Sequence, residues 1–119
     1  MTGTLPLQGK VAIVTGAARG IGSVVCAYLA QDGAHLALVG RSDDALRARS
    51  AELDEAYPGR DSLPVRCDVT DEEQVQAMVS TVTRRFGGLD ILVNSAGGTG
   101  PIETPARITR LRSSGGYST

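Results

Sequence analysis

The stretch from Lys10 to Gly22 constrains this chain more than any other. Lys10 to Thr15 (KVAIVT) is a short β-branched run, closed at once by a glycine-rich turn, Thr15 to Gly22 (TGAARGIG). Such a run, bounded by turn residues, predicts a buried parallel strand. The next segment changes period: Ile21, Val24, Val25, Tyr28 and Leu29 recur at helical spacing as far as Gly33, which supplies a stop signal. Gly16, Gly20 and Gly22 therefore lie where a strand ends and a helix begins, and each has a physical task. Gly16 lets the chain turn sharply, Gly20 removes a side chain where backbone must approach a pyrophosphate, and Gly22 lets the helix pack close to the strand. The helix start then offers unpaired N–H groups and the positive end of its dipole to phosphates. No Gly-Lys-Ser/Thr follows, which excludes a P-loop.

The alternation continues along the chain. His35 to Val39 (HLALV) reads as a second strand, and Ser42 to Ala56 as a polar helix whose apolar side includes Leu46 and Leu53. Leu63 to Cys67 reads as a third strand. Thr70 with Glu73 predicts a capping box, after which Val75, Met78, Val79, Val82 and Phe86 mark one face of a helix ending near Gly87 and Gly88. Leu89 to Val93 (LDILV) is a fourth strand. Strands alternating with helices at this spacing mean right-handed βαβ units, so the expected class is α/β: a partial Rossmann-like parallel sheet of about four strands with helices on both faces. Residues 1–105 form that half-domain. The pattern fails after Pro105, and residues 106–119 (ARITRLRSSGGYST) carry too few apolar positions to define a fifth strand or a packed helix. A disordered basic, serine-rich tail is expected there.

Composition narrows the function classes. A chain of 119 residues has room for one domain. A hydrophobic share of 41% with 21% charged residues is that of a globular protein, and no apolar run approaches the ~18 residues of a membrane span. Met1 to Gln8 has neither a basic start nor a long apolar core, so a cytoplasmic address is the default expectation. All 13 acidic residues lie at or before Glu103, while Arg107, Arg110 and Arg112 make the tail basic. An acidic body of this kind argues against nucleic acid as a partner. Cys26 and Cys67 have no CxxC partner and read as buried small hydrophobes, without a metal site. His35 opens a strand with no nucleophile arranged beside it and reads as structural. Asp43 with Asp44, and Asp71 with Glu72, fall in first helical turns, where they complement the dipole.

With these residues in place the sequence resembles the short-chain dehydrogenase/reductase family, whose first turn is T-G-x-x-x-G-x-G. The resemblance extends from about residue 7 to residue 104. Asp68 and Val69 look like the family's D-V segment, whose aspartate contacts the adenine ring. Asn94, Ser95, Ala96 and Gly97 look like its N-N-A-G motif, with Ser95 in place of the second asparagine. The resemblance implies a dinucleotide cofactor held by Gly16, Arg19, Gly20, Ile21, Gly22, Arg41, Asp68, Val69, Asn94, Ala96 and Gly97. It also implies a strand order 3-2-1-4-5-6-7, in which the strand at Leu89 to Val93 would lack its fifth neighbour and the usual dimer helices would be absent. An unpaired edge, open to non-specific self-association, is expected.

Charge argues for one cofactor. An NAD-selective site places Asp or Glu at the end of its second strand, about 20 residues beyond the glycines, to accept from the ribose 2′-hydroxyl. Here Gly40 holds that place and Arg41 is next, while Arg19 sits inside the glycine loop. Both can pair with a 2′-phosphate, so NADPH is expected over NADH, with Ser42 as a further hydroxyl partner. The family's reductases use a Tyr-x-x-x-Lys pair, with a serine that orients substrate and an asparagine in a proton relay. This sequence has a single lysine, Lys10, which no tyrosine precedes, so Tyr28, Tyr57 and Tyr117 cannot form that pair and no catalytic residue is assigned. Three readings are open: a truncated or frame-shifted portion of a ketone/alcohol oxidoreductase, inactive alone; a non-catalytic nucleotide-binding module acting through a partner chain; and a reductase with an unusual acid.

Overall fold

The computed structural model describes residues 5–95 and the backbone of residues 107–110. Its elements are β1 (Val11–Thr15), α1 (Gly20–Gln31), β2 (His35–Gly40), α2 (Asp43–Ala56), β3 (Ser62–Arg66), α3 (Glu72–Phe86), β4 (Ile91–Asn94) and β5 (Arg107–Arg110). The strands form one sheet in the order β3-β2-β1-β4-β5. The first four are parallel, with Val11 opposite His35, Leu36 opposite Ser62 and Ala12 opposite Ile91.

The sheet splits the core in two because successive side chains of a strand point to opposite faces. Ala12, Val14, Leu36, Leu38 and Val93 pack on one side with Cys26, Leu29 and Ala30 of α1 and Leu46 and Leu53 of α2. Val11, Ile13, Ala37 and Val39 pack on the other with Met78 and Val82 of α3. Every residue of β1 is buried, as the continuous apolar run of an interior parallel strand requires. Both cysteines are free and buried, one in each half of the core. Burial pushes the Cys26 thiol up to about 12, partly offset by the nearby Arg49 charge. His35 Nδ1 accepts from the Asp61 N–H at 3.0 Å and its ring stacks on Phe86, so it is a structural histidine.

Three local expectations are corrected. The cap of α3 is Asp71, not Thr70. The Asp71 carboxylate accepts from the Glu73 and Gln74 N–H groups, while the Thr70 hydroxyl turns back to Asp68 at 2.7 Å. An ionised carboxylate one residue closer to the helix is the better acceptor for its first amides.

In α1 the apolar stripe read from spacing is split: Ile21, Val24 and Tyr28 face outward, 43%, 55% and 66% exposed, whereas Leu29 is buried and Val25 is half-buried against the core. The buried side is Gly22, Cys26, Leu29 and Ala30. Close approach to the sheet selects the small residues at positions 22, 26 and 30, and that rotation carries Ile21, Val24 and Tyr28 outward.

A fifth strand exists. Arg107–Arg110 pairs antiparallel with β4, in the register Ile91 opposite Arg110 and Asn94 opposite Arg107. An edge strand bonded on one side needs only backbone groups and a few residues, so the long apolar run of an interior strand was the wrong template for this segment. The β4 edge is therefore covered rather than bare. Ending the chain after Pro105 is expected to uncover it, and sedimentation velocity should show more self-association in the shortened chain than in the parent. Identical sedimentation of the two would mean that β5 gives β4 no protection.

Candidate functional site

The site lies at the carboxyl ends of β1, β2 and β3, where the chain leaves each strand for a loop. Gly16 and Gly20 have positive φ, 63° and 62°, a conformation that side-chain-bearing residues resist. Their two bends carry the loop from β1 into α1, and the Ala17 N–H bonds the Val39 carbonyl at 3.3 Å, tying the loop to β2. A Cβ at Gly20 would meet nothing within 4 Å, so space outside this glycine is open. Gly22 is the opposite case. A Cβ there would overlap the Gly16 carbonyl oxygen and lie 2.8 Å from its carbon and 2.5 Å from Ser95 Oγ.

A cavity of about 470 Å³ opens beside the loop, lined by Gly16, Ala17, Ala18 and Arg19, by Gly40, Arg41 and Ser42, and by Cys67, Val69 and Thr70. Three successive strand ends thus contribute one short segment each. The start of α1 reaches this wall at Arg19. Its N-cap residue, Arg19, makes no side-chain cap, and its first turn contains no acid. By contrast Ser42 Oγ accepts from the Ala45 N–H at the start of α2, and Asp71 caps α3. The first N–H groups of α1 have no acceptor within the helix and remain available to an anion.

Arg41 and Asp68 meet across the rim, with Nη2 to Oδ1 at 3.4 Å. The same Oδ1 accepts from the Thr70 N–H at 3.0 Å and from its hydroxyl. These Thr70 bonds, with the Arg41 charge, hold the Asp68 carboxyl below its ordinary value. A depressed folded value means that any stabilisation from this carboxylate is present above the unfolded range and is lost as pH falls through the folded value. Asp68 Oδ2 makes no hydrogen bond with the described residues.

Behind the loop, Thr15 joins β1 to β4. Its hydroxyl donates to Asn94 Oδ1 at 2.9 Å and accepts from the Ser95 N–H at 3.1 Å, while the Ser95 hydroxyl donates to the Thr15 carbonyl. The serine that departs from the expected asparagine therefore makes its own bond at the same junction.

Of the residues anticipated from sequence, Gly16, Arg19, Arg41 and Val69 line the cavity. Gly20 and Gly22 form the start of α1, and Asp68 stands at the rim through Arg41. Ile21 turns instead to a shallow groove with Val24, Val25 and Tyr28. Asn94 ends β4 and is held by Thr15. Ala96 and Gly97 lie outside the described residues. The hydrogen-bonding of Thr15 and the contact of Arg66 with the Arg41 carbonyl, Nε to O at 3.2 Å, had no signal in motif or period. Lys10 precedes β1, at the opposite end of the sheet from the cavity, and Tyr57 follows α2 at its far end. Among the described residues no group of histidine, cysteine and acid could hold a metal, and no helix is long and apolar enough to cross a membrane.

Comparison with known proteins agrees with this geometry. The family described as short chain dehydrogenase matches residues 10–111. The chain is 46% identical over 92 residues to glycine betaine reductase of Emericella nidulans, covering 77% of this chain and 7% of that protein. It is 44% identical over 91 residues to 15-hydroxyprostaglandin dehydrogenase [NAD(+)] of Homo sapiens, covering 76% of this chain and 34% of that one. The solved structure of L-sorbose reductase from Gluconobacter frateurii, complexed with NADPH and L-sorbose, superposes with a TM-score of 0.75 at 42% identity, covering 85% of this chain and 38% of that one. The chain spans about a third or less of the length of the curated relatives it matches.

The two crowding regimes in the glycine loop separate by substitution. Gly22→Ala is expected to lose ~1–3 kcal/mol in chemical denaturation, because backbone at Gly16 must move. Gly20→Ala, strained only in its φ, should lose about 1–2 kcal/mol or less. A Gly22→Ala protein as stable as the parent would show that the helix start does not need this approach.

Proposed function

This chain belongs to the short-chain dehydrogenase family, and from that premise we propose that it binds the adenosine and pyrophosphate end of NADPH in preference to NADH, as the cofactor-holding portion of an oxidoreductase acting on a carbonyl or alcohol. Members of this family bind NAD(P), and the residues of the cavity fit such a group. One observation carries the reading: an uncapped helix start and two arginines converge on one cavity whose β2 end bears glycine in place of an acid.

Each part of the ligand has a counterpart. The open space at Gly20 and the free amides of α1 suit a pyrophosphate. Arg19 and Arg41 suit a 2′-phosphate, and the absence of a carboxylate at Gly40 removes the repulsion that would exclude one. Oδ2 of Asp68 is left to accept from an adenine amino group, since Oδ1 already serves Thr70 and Arg41. The nicotinamide, when bound, supplies or takes a hydride, and the part of these residues is to hold and orient the other end. The relatives' printed names include both NAD(+) and NADPH, so the preference rests on this chain's own charges.

Arg41 is 73% exposed and already shared with Asp68, which discounts its worth to an incoming phosphate. The expected preference for NADPH is therefore roughly 10-fold, the low end for a hydrogen bond to a charged group. Fluorescence titration of both reduced cofactors measures it, and Arg41→Ala should remove most of it. Equal affinities in the parent chain would sink the phosphate site.

We extend the reading to activity. Proton transfer to a reacting carbonyl needs an acid within hydrogen-bond reach of it. Lys10 is at the wrong end of the sheet, and neither Tyr28 nor Tyr57 lines the cavity. The 119-residue chain alone should oxidise NADPH with a panel of ketones and aldehydes no faster than buffer does. Sustained turnover that disappears in Gly20→Asp would overturn this.

A further inference from the structure

Three consecutive residues leaving β3 each hold one group of the corner where β2 turns into α2. The Cys67 N–H bonds the Gly40 carbonyl at 2.8 Å. Arg66 Nε donates to the Arg41 carbonyl at 3.2 Å, and Asp68 takes the Arg41 guanidinium. The first bond continues the parallel register that sets Gly40 opposite Arg66, and sheet geometry explains it. The second is not a ladder bond. It comes from an exposed side chain to the peptide of the residue whose own side chain reaches the cavity.

We propose that Arg66 is a specificity-positioning residue, which by holding the Arg41 carbonyl fixes the direction from which the Arg41 side chain meets the 2′-phosphate of a dinucleotide. This rests on the NADPH reading of the same cavity. The Arg41 peptide plane sets the orientation of its Cα–Cβ bond. Anchored only at Gly40, that plane could turn, and a guanidinium as exposed as that of Arg41 would have to be ordered at the moment of binding. With Arg66 in place that ordering precedes the ligand. Arg66 uses Nε for this bond, and its two terminal nitrogens make no hydrogen bond with the described residues. A second positive charge is thus kept beside the corner, in no ion pair with the described residues. An arrangement serving stability alone gains nothing from like charges so placed, whereas one serving a doubly charged phosphate gains from both.

The experiment compares the ratio of NADPH to NADH affinity in the full chain, in Arg66→Met, in Arg66→Lys and in Arg41→Ala, by fluorescence titration beside thermal melts. Arg66→Met should lower the ratio by ~2- to ~10-fold, the size of one hydrogen bond from a guanidinium discounted for its exposure. Arg66→Lys, which can still donate to the carbonyl and keeps the charge, should recover most of it. A merely structural role would weaken both cofactors together and leave the ratio in place. If Arg66→Met does not fold, Arg66→Ala, which likewise has no donor to offer the Arg41 carbonyl, should show the reduced ratio in its stead. A parent that discriminates, loses discrimination in Arg41→Ala and keeps it in the folded Arg66 variant overturns this proposal and leaves the NADPH site standing. A parent with no preference removes both.

Discussion

The contact on which the rest of this structure depends is the approach of the α1 start to the Gly16 carbonyl and the Ser95 hydroxyl, made at Gly22 where any Cβ would collide. Through it a helix, a loop and the end of a strand distant in sequence share one volume. Because that volume is filled by backbone and a hydroxyl, its packing leaves no slack for a methyl group. The same approach sets the rotation of α1, so that Cys26 and Ala30 follow Gly22 onto the sheet and Leu29 fills the space beside them. It also sets the helix start, at its N-cap Arg19, against the cavity. Position and electrostatics of the helix start therefore have one cause.

Around that fixed point the cavity is assembled from strand ends. In a parallel sheet every strand delivers its carboxyl end to the same side, and the loops that leave there converge without further design. Here three loops supply a positive helix terminus, Arg19, Arg41 and a hydroxyl at Ser42. The one acid at the rim, Asp68, is spent on Thr70 and Arg41, which keeps it from opposing an anion as strongly as a free carboxylate would. The electrostatics of the rim follow from which partner each charge has found more than from the formal count of charges.

What was legible in the sequence was what depends on local pattern. The β-branched runs, the glycine loop, the polar α2 with Leu46 and Leu53 inward, and the face of α3 through Met78 and Val82 were all readable, because each is a matter of spacing along the chain. So was the gathering of Gly16, Arg19, Arg41 and Val69, since topology alone brings those strand ends together. The α1 stripe held at Leu29 and Val25 but failed at Ile21, Val24 and Tyr28, because hydrophobic period reports which residues are large and apolar, whereas close approach to the sheet favours small ones on the buried side. The cap of α3 slipped by a residue because Thr70 had a competing partner in Asp68, two positions back. Arg66 was illegible for a plainer reason: a side chain reaching a carbonyl 25 positions away leaves no trace in either segment.

The two ends of the sheet differ in a way that bears on the site. At β3 every side chain is half-buried or exposed, with α2 against the strand and Val65 joining the α3 cluster. At β4 Val93 is fully buried, while Ile91 and Leu92 are half-buried against opposite halves of the core. The antiparallel return of β5 satisfies backbone groups of β4, but the described residues bring no helix with it, since a chain reversing beside its neighbour needs no crossover. A parallel fifth strand would have arrived with one. Among the described residues the cavity is lined by Gly40 at the end of β2 and by the loops after β1, β2 and β3, and by none of β4. Among the described residues the glycine loop is tied to β4 through the Thr15, Asn94 and Ser95 junction, none of which lines the cavity. The cavity proposed to take the phosphate-bearing end of a cofactor is thus formed where three neighbouring parallel strands end.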